Sequence, residues 1–351
     1  MSNIKRLLRT AVQYYASDLY LSTGSQPMIR VNGDLFTVED HAKLDPTTVS
    51  TYLKEILGTK ISTDLNQSID MDYSLNVEGI ARFRVNVFAQ HHGLSAIFRL
   101  IPENPMTIEQ LHLPKQIKEL ATLKQGLVLV SGPTGCGKST TLASIITEIN
   151  RNQRKHIITI EDPIEFIHTN DQSIIEQREV GIHTKNFQTA LRSALREDPD
   201  VILVGEMRDL ETISLAITAA ETGHLVLSTV HTQGAANSID RIIDVFPPNQ
   251  QAQIRTQLAA TLKAVIWQQL LPTKKEILPG VKRVGALEIL MNNHALRNLI
   301  RKGNTHQIDS IIETNRKMGM QSMEHALEEL LQKGLISQEK HDEFLPDRLE
   351  I

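Results

Sequence analysis

The stretch SGPTGCGKSTT, Ser131–Thr141, comes directly after the apolar run Gly126–Val130 and is the feature that most constrains the fold. Its spacing, G-x-x-x-x-G-K-S, is that of a loop that wraps phosphate groups between a strand and a helix. The glycines let backbone amides turn inward, and the helix that follows presents its N-terminus to an anion. A glycine-rich turn that only resembles such a loop is the alternative, with a chance on the order of one per cent in a chain of this length. The predicted flanking strand and helix favour a nucleotide site.

Within this loop, two side chains have predicted roles beyond shaping the backbone. Lys138 is expected to reach the β- and γ-phosphates, and the hydroxyl of Ser139 is expected to bind Mg²⁺. ATP and Mg²⁺ are therefore the expected ligands. The residues predicted to contact the nucleotide are Gly132, Pro133, Thr134, Gly135, Cys136, Gly137, Lys138, Ser139 and Thr140.

The composition excludes several classes of protein. The 351 residues carry a formal net charge of −4 and are 4% aromatic, which argues against a protein that mainly neutralises nucleic acid. Cys136 is the only cysteine, so neither a disulfide nor a cysteine zinc site forms within the chain. The basic N-terminus lacks a sustained apolar stretch, and no run approaches the roughly 20 apolar residues of a membrane span. A cytoplasmic location is expected, with any membrane association arising through a partner.

The apolar patterning divides the chain into regions of different character. Residues 1–100 mix helical spacing with short alternating strands, which predicts an α+β domain. Residues 101–115 include two prolines and are predicted to be a linker. Residues 116–290 alternate apolar strands with helices and predict an α/β domain with a mostly parallel sheet. Residues 291–351 are predicted to be helical. The strands predicted in the α/β domain are Leu127–Val130, His156–Ile160, Val201–Val204, Leu225–Thr229 and Val284–Leu290.

Hydrolysis needs carboxylates in addition to the loop, and polar residues at predicted strand ends are the candidates. Glu206 ends the apolar segment VILVGE, where it would help hold the metal. Glu165 belongs to TIEDPIEF, which follows another core strand, and the segment TGHLVLSTVHT brackets a strand with His224 and His231. Each has an ordinary alternative, since a carboxylate after a strand is often a helix cap and a lone histidine is more often a packed residue.

Four ordered motifs together resemble those of the secretion ATPases of type IV pilus and type II secretion systems, and in particular the retraction ATPases of twitching motility. These motifs are GPTGCGKSTT, TIEDPIEF, LREDPDVILVGEMRDLET and AAETGHLVLSTVHT. The resemblance covers essentially the whole chain. It implies an N-terminal PAS-like domain, a RecA-like ATPase domain and a ring of six subunits.

The resemblance also implies roles for individual residues. Glu165 would polarise the attacking water, and Glu206 would belong to the second nucleotide motif and hold Mg²⁺ with Ser139. His224 and His231 would sense the nucleotide. Arg84 and Arg99 would be brought to the phosphates by the N-terminal domain, and an arginine fork suits phosphate oxygens. Solvated ion pairs are the alternative for these arginines.

The chain departs from the family pattern at two motifs. Cys136 stands where serine is usual, and sensitivity to thiol reagents is a hypothesis that follows from it. The segment GALEIL, Gly285–Leu290, lacks a histidine that often precedes its glutamate. LRNLIRKG, Leu296–Gly303, stays close to a motif that the family needs for retraction, although core packing explains it equally well.

The resemblance predicts a hexameric motor that docks on an inner-membrane platform protein and retracts type IV pili. Retraction is favoured over assembly because assembly-type relatives carry an extra N-terminal domain and a four-cysteine zinc insertion, which a chain with one cysteine cannot hold. An accessory paralogous ATPase is a further candidate partner. The alternatives are a non-hydrolysing accessory subunit, which the retained Glu165 and Glu206 oppose, and a nucleic-acid translocase, which would need basic and aromatic clusters.

Overall fold

The computed structural model describes residues 2–31, 33–39, 41–58, 70–101, 105–274, 276 and 282–345. The chain forms two compact units, one within Met1–Glu103 and one within Asn104–Ile277 and Arg283–Ile351. The predicted linker, 101–115, overlaps the division, and residues 102–104 lie outside the described part. The predicted boundaries at residues 116 and 290 stay a prediction.

The N-terminal unit is an α+β structure built on an antiparallel sheet of six strands. Its helices are α1 (Asn3–Gln13) and α2 (Pro46–Leu57), and its strands are β1 (Asp18–Ser22), β2 (Met28–Val31), β3 (Asp34–Thr37), β4 (Asp70–Val77), β5 (Ala81–Gln90) and β6 (Gly93–Ile101). The strand order is β3-β2-β1-β6-β5-β4.

Apolar residues in both helices and strands of this unit share one core. In α1, Ile4, Leu7, Leu8 and Ala11 are buried at helical spacing. In β5, buried residues alternate with half-buried polar ones, as expected when a single face of a sheet is covered. The open face of β5 therefore carries its arginines.

The second unit is an α/β structure around a seven-stranded sheet. Its strands are β7 (Gly126–Ser131), β8 (His156–Glu161), β9 (Ile174–Glu179), β10 (Val201–Val204), β11 (Leu225–Val230), β12 (Leu262–Pro272) and β13 (Arg283–Met291). Its helices are α3 (Lys115–Leu120), α4 (Lys138–Asn152), α5 (Phe187–Ala194), α6 (Leu210–Glu221), α7 (Ala235–Asp244), α8 (Pro248–Thr261), α9 (His294–Lys302), α10 (Ile308–Thr314), α11 (Met323–Gln332) and α12 (Gln338–Glu343).

The sheet of this unit has the order β13-β12-β7-β11-β10-β8-β9, and all strands except the edge strand β13 run parallel. Helices cover both faces. In β7, Leu127 and Leu129 pack into one core cluster, whereas Val128 and Val130 pack into another on the opposite face together with α4. The predicted RecA-like α/β fold with an α+β N-terminal domain is thus confirmed.

The sequence patterns identified five of these seven strands and missed two. β9 and β12 were not predicted. β12 follows α8 without an intervening residue, since α8 ends at Thr261 and the strand begins at Leu262. The helical character of the tail is confirmed, and Gly303 and Gly319 end helical segments in the left-handed conformation. Within the described residues, no helix combines the length and the apolar character needed to cross a bilayer.

Candidate active site

The phosphate loop joins the carboxyl end of β7 to the amino end of α4, and its glycines are required by its shape. Gly132, Gly135 and Gly137 have φ values of +140°, +80° and +89°. A Cβ at Gly132 would lie 2.4 Å from the backbone oxygen of Gln268, and one at Gly137 would lie 2.9 Å from the Gln268 Nε2. A side chain at Gly132 would displace the loop from β12, and the positive φ disfavours any residue other than glycine at both positions.

Lys138, the first residue of α4, is buried and closes the loop from within. Its Nζ donates hydrogen bonds to the carbonyl oxygens of Gly132, at 2.8 Å, and Pro133, at 3.0 Å. Burial lowers the pKa of the Lys138 ammonium, whereas Cys136, Glu165 and Glu206 act to raise it. Both carboxylates predicted for hydrolysis therefore lie within electrostatic reach of this ammonium.

The rest of the loop is open enough to meet a nucleotide. Pro133, Thr134 and Gly135 are exposed, whereas Ser139 and Thr140 are half-buried in the first turn of α4. The N-terminus of α4 has no side-chain cap, so its first amides remain available to an anion.

The residues present fit a magnesium ion. The Ser139 hydroxyl would hold the ion next to the phosphates, and Glu206 approaches the same loop from β10. The ion would neutralise charge on the phosphate oxygens. The described residues contain no group of three or more acidic, histidine or cysteine side chains placed to bind a metal.

Cys136 is a loop residue whose side chain is buried. It is 3% exposed, and burial raises the pKa of its thiol above the ordinary value. The thiolate needed for alkylation is therefore disfavoured. The folded structure argues against the hypothesis that Cys136 makes the site sensitive to thiol reagents.

Gln268 on β12 contacts the loop and was not singled out in the sequence. Its Nε2 donates to the carbonyl oxygen of Cys136 at 2.6 Å, and its Oε1 accepts from the Thr141 hydroxyl at 2.6 Å. A glutamine in an unrecognised strand carries no distinguishing pattern. Recognition of β12 as a neighbour of β7 would have been the signal that could have found it.

Glu206 lies just beyond β10 and faces the phosphate loop. Its Oε2 lies 2.7 Å from Arg208 Nε and 3.4 Å from His231 Nε2. The alternative that Glu206 caps a helix is wrong, because Asp209 caps α6 by accepting from the backbone and side chain of Thr212. The Glu206 carboxylate is therefore available to the nucleotide site, and its role in binding the metal stays a prediction.

Glu165 is an exposed carboxylate on a loop that hydrogen bonds to neighbouring side chains hold in place. The amide of Glu165 donates to Glu161 Oε2 at 3.4 Å, and the amide of Ile164 donates to Glu179 Oε2 at 3.3 Å. Gln177 Nε2 donates to Glu161 Oε1 and to the carbonyl of Phe166. Burial raises the pKa of Glu161, although its hydrogen bonds oppose the shift. Glu165 remains the residue predicted to polarise water.

His231 and His224 lie at opposite ends of β11, and only His231 is near the phosphate loop. Val230 pairs with Ser131 at the carboxyl edge, whereas the carbonyl oxygen of His224 accepts from the amide of Gly126 at the amino edge. A strand of this length separates the two histidines by about 20 Å.

His224 therefore does not lie beside this chain's phosphate loop, and its role in binding nucleotide stays a prediction. Instead, the His224 Nδ1 lies 2.9 Å from the carbonyl oxygen of Ala219 and 3.2 Å from the hydroxyl of Thr222, at the end of α6. These contacts are those of the packed, hydrogen-bonded histidine that was the ordinary alternative.

Arg84 and Arg99 lie directly opposite each other on the antiparallel strands β5 and β6. Arg99 Nε lies 2.9 Å from Asp18 Oδ1, and Arg84 Nε lies 3.5 Å from Asp72 Oδ1. The ion pairs of the alternative reading are thus present. Two like charges facing each other across a sheet repel, however, and an anion would relieve that repulsion. Their role at the phosphates stays a prediction.

Comparisons with known proteins identify the family. The Type II/IV secretion system protein family matches residues 1–341. The Type IV pilus retractation ATPase PilT of Pseudomonas aeruginosa is 48% identical over 337 residues, which are 96% of this chain and 96% of that protein. The Twitching motility protein of Neisseria gonorrhoeae is 46% identical over 337 residues, 96% of this chain and 89% of that protein.

A solved structure shows the same fold over the full length. The crystal structure of the pilus retraction motor PilT with bound ADP is 43% identical, covers 100% of this chain and 99% of that one, and superposes with a TM-score of 0.88. The agreement extends across both units. The chain therefore belongs to the Type II/IV secretion system protein family and is a P-loop ATPase similar to those that retract type IV pili.

Proposed function

We propose that the chain is the Mg²⁺-dependent ring ATPase that powers retraction of type IV pili in twitching motility. Full-length similarity to retraction ATPases carries this proposal. The site supports it, because the carboxylates of Glu165 and Glu206 both lie within electrostatic reach of the buried Lys138 ammonium. ATP hydrolysis would supply the energy, and the ring would be a homohexamer.

The residues at this edge suit the separate tasks of hydrolysis. The loop amides and Lys138 would hold the phosphates, and Ser139 with Glu206 would hold Mg²⁺. Glu165 is exposed, hence free to meet a water molecule, and accepting its proton is the task of a general base. Glu206 and His231 share a contact, so a change at the nucleotide would reach β11 and the helix that follows it.

Arg84 and Arg99 would complete the site when the N-terminal domain closes on the phosphates. Such closure would couple hydrolysis to a movement between domains, and successive closures around a ring would produce directed motion. The motor would act on an inner-membrane platform protein from the cytoplasmic side, so that fibre subunits return to the membrane. An accessory paralogous ATPase is a further candidate partner.

The decisive experiment is deletion of the gene followed by counting of surface pili. We expect excess fibres that do not retract, and restoration of retraction by the intact gene. Lys138→Ala and Glu165→Gln should fail to restore it. Glu176→Gln is the matched control, because Glu176 is a carboxylate on β9 that contacts His156 at the amino end of β8.

Other outcomes would select the alternatives. Bald cells would indicate an assembly ATPase. Purified protein whose ATP turnover does not exceed that of Lys138→Ala would indicate an accessory, non-hydrolysing subunit. Turnover stimulated by DNA would indicate a nucleic-acid translocase, against which the acidic net charge and the low aromatic content argue.

A further inference from the structure

We propose that Gln268 is a positioning residue for nucleotide binding, because its side-chain amide fixes the peptide between Cys136 and Gly137. Gln268 is 3% exposed and lies on β12, which pairs with β7 next to the phosphate loop. It contributes no group to the nucleotide itself. Its role is to orient a backbone amide that does.

The oxygen and the nitrogen of the Gln268 side-chain amide each form a hydrogen bond, and together these bonds fix the orientation of the amide. The Oε1 atom accepts from the Thr141 hydroxyl at 2.6 Å, while Nε2 donates to the carbonyl oxygen of Cys136 at 2.6 Å. A hydroxyl that donates to Oε1 leaves the amino group as the only donor toward Cys136. The side chain thus joins the loop to the first turn of α4.

The consequence for the loop follows from peptide geometry. In a planar trans peptide, the carbonyl of one residue and the N–H of the next point in opposite directions. Because the Cys136 carbonyl points to Gln268, the N–H of Gly137 points to the inner side of the loop. Inward amides at the start of a helix are the groups that bind phosphate oxygens.

Close packing reinforces this arrangement. A Cβ at Gly137 would approach Gln268 Nε2 to 2.9 Å, and one at Gly132 would approach the Gln268 backbone oxygen to 2.4 Å. Both ends of the loop, at Gly132 and at Gly137, therefore pack directly against Gln268. The inference rests on ATP binding and is independent of coupling to pili.

The test is Gln268→Met, which removes both polar groups with little change in volume. We expect the Kd for ADP, measured by calorimetry, and the KM for ATP to rise about tenfold, since one backbone amide loses its orientation. We expect kcat to change less than about threefold, because the amide binds the phosphates in the ground state as in the transition state. Gln269→Met is the matched control, because Gln269 is the adjacent residue and points to the opposite face of β12.

A purely structural role predicts a different result. Gln268→Met would then lower the midpoint of thermal unfolding while the folded protein bound ADP as well as wild type, and the proposal would be overturned. Should Gln268→Met fail to fold, Thr141→Val provides the second test, because it removes only the hydroxyl that orients the amide. A Kd for ADP unchanged in Thr141→Val would contradict the proposal. In a folded protein that carries both Gln268→Met and Thr141→Val, the loss of binding free energy for ADP should be smaller than the sum of the losses in the two separate variants.

Discussion

Glu206 and His231 lie 3.4 Å apart, Oε2 to Nε2, just beyond the carboxyl ends of the neighbouring parallel strands β10 and β11. Two hydrogen bonds join the strand ends: the amide of Met207 donates to the carbonyl of Thr229, and the hydroxyl of Thr229 donates to the carbonyl of Gly205. The contact is therefore a fixed property of the sheet edge rather than of a free loop.

We expect His231→Ala to lower kcat about tenfold while the Kd for ADP stays within about threefold, because Glu206 loses one of the two groups that hold its Oε2. The measurement is steady-state ATP turnover together with calorimetric ADP binding. His156→Ala is the matched control, since His156 is the first residue of β8 and lies at the opposite edge of the same sheet. Equal loss of turnover in the two variants would show that the contact with Glu206 has no special importance.

We expect Glu165→Gln to lower kcat by about 10²–10³-fold, since an amide cannot accept the proton of an attacking water. Nucleotide binding should persist, because Glu165 does not form the phosphate loop. Single-turnover hydrolysis and ADP binding measure the two effects separately. The control is Glu176→Gln, which should hydrolyse ATP at the wild-type rate. Turnover of Glu165→Gln within a few-fold of wild type would exclude Glu165 as the base.

Glu288 on β13 provides a prediction about pH. It accepts a hydrogen bond from the amide of Ala235 at the start of α7, and burial, with a smaller contribution from Asp309, raises its pKa to about 7. The folded chain thus retains this proton up to about pH 7, whereas the unfolded chain loses it near pH 4.5. Its contribution to stability is complete below about pH 4.5 and is lost as the pH rises through about 7.

We therefore expect Glu288→Gln to be more stable than wild type at pH 8 by about 2–3 kcal/mol, and similar to wild type at pH 5. Denaturant unfolding of both proteins across this range measures the difference. The variant is compared with wild type at each pH because a second group also makes stability depend on pH. Burial lowers the pKa of His168 to about 4, so the folded protein loses stability as the pH falls below 6.5. A difference between the two proteins that does not vary with pH would contradict the prediction.

Cys136 gives a prediction about chemical reactivity. Burial raises the pKa of its thiol and covers its sulfur, so we expect alkylation of the native protein at pH 8 to be about 10²-fold slower than after denaturation. Mass spectrometry of the N-ethylmaleimide adduct over time measures both rates from the single cysteine. Equal rates in the native and denatured protein would show that the loop opens freely.

The patterns with strong physical requirements were predictable from the sequence. A phosphate loop needs glycines at fixed positions, and these positions have positive φ in the structure. The apolar runs of parallel strands such as β7 stand out because both faces of the strand are buried.

β12 was missed because no glycine or proline separates it from α8, so helical spacing passes directly into a strand. β9 was missed because its sequence, IIEQRE, is polar for a strand of a parallel sheet. Both strands are defined by tertiary pairing rather than by local signals.

His224 shows what a correctly predicted strand implies about the residues that flank it. The strand between His224 and His231 was predicted from its apolar run, and an extended strand necessarily places its two flanking residues at opposite edges of a sheet. The geometry of the strand thus places only His231 at the edge that carries the phosphate loop. Family resemblance grouped the two histidines in one motif, whereas the fold separates them.

Strand β12 contacts both the phosphate loop and helix α11. Gln268 faces the phosphate loop, whereas Trp267 and Leu271 pack with Met323 and Leu327 of α11. Random mutagenesis should therefore recover variants with weakened nucleotide binding among apolar tail residues that are distant in sequence from the phosphate loop. In this molecule, sequence distance from the lysine of the phosphate loop is a poor guide to which alleles impair the enzyme.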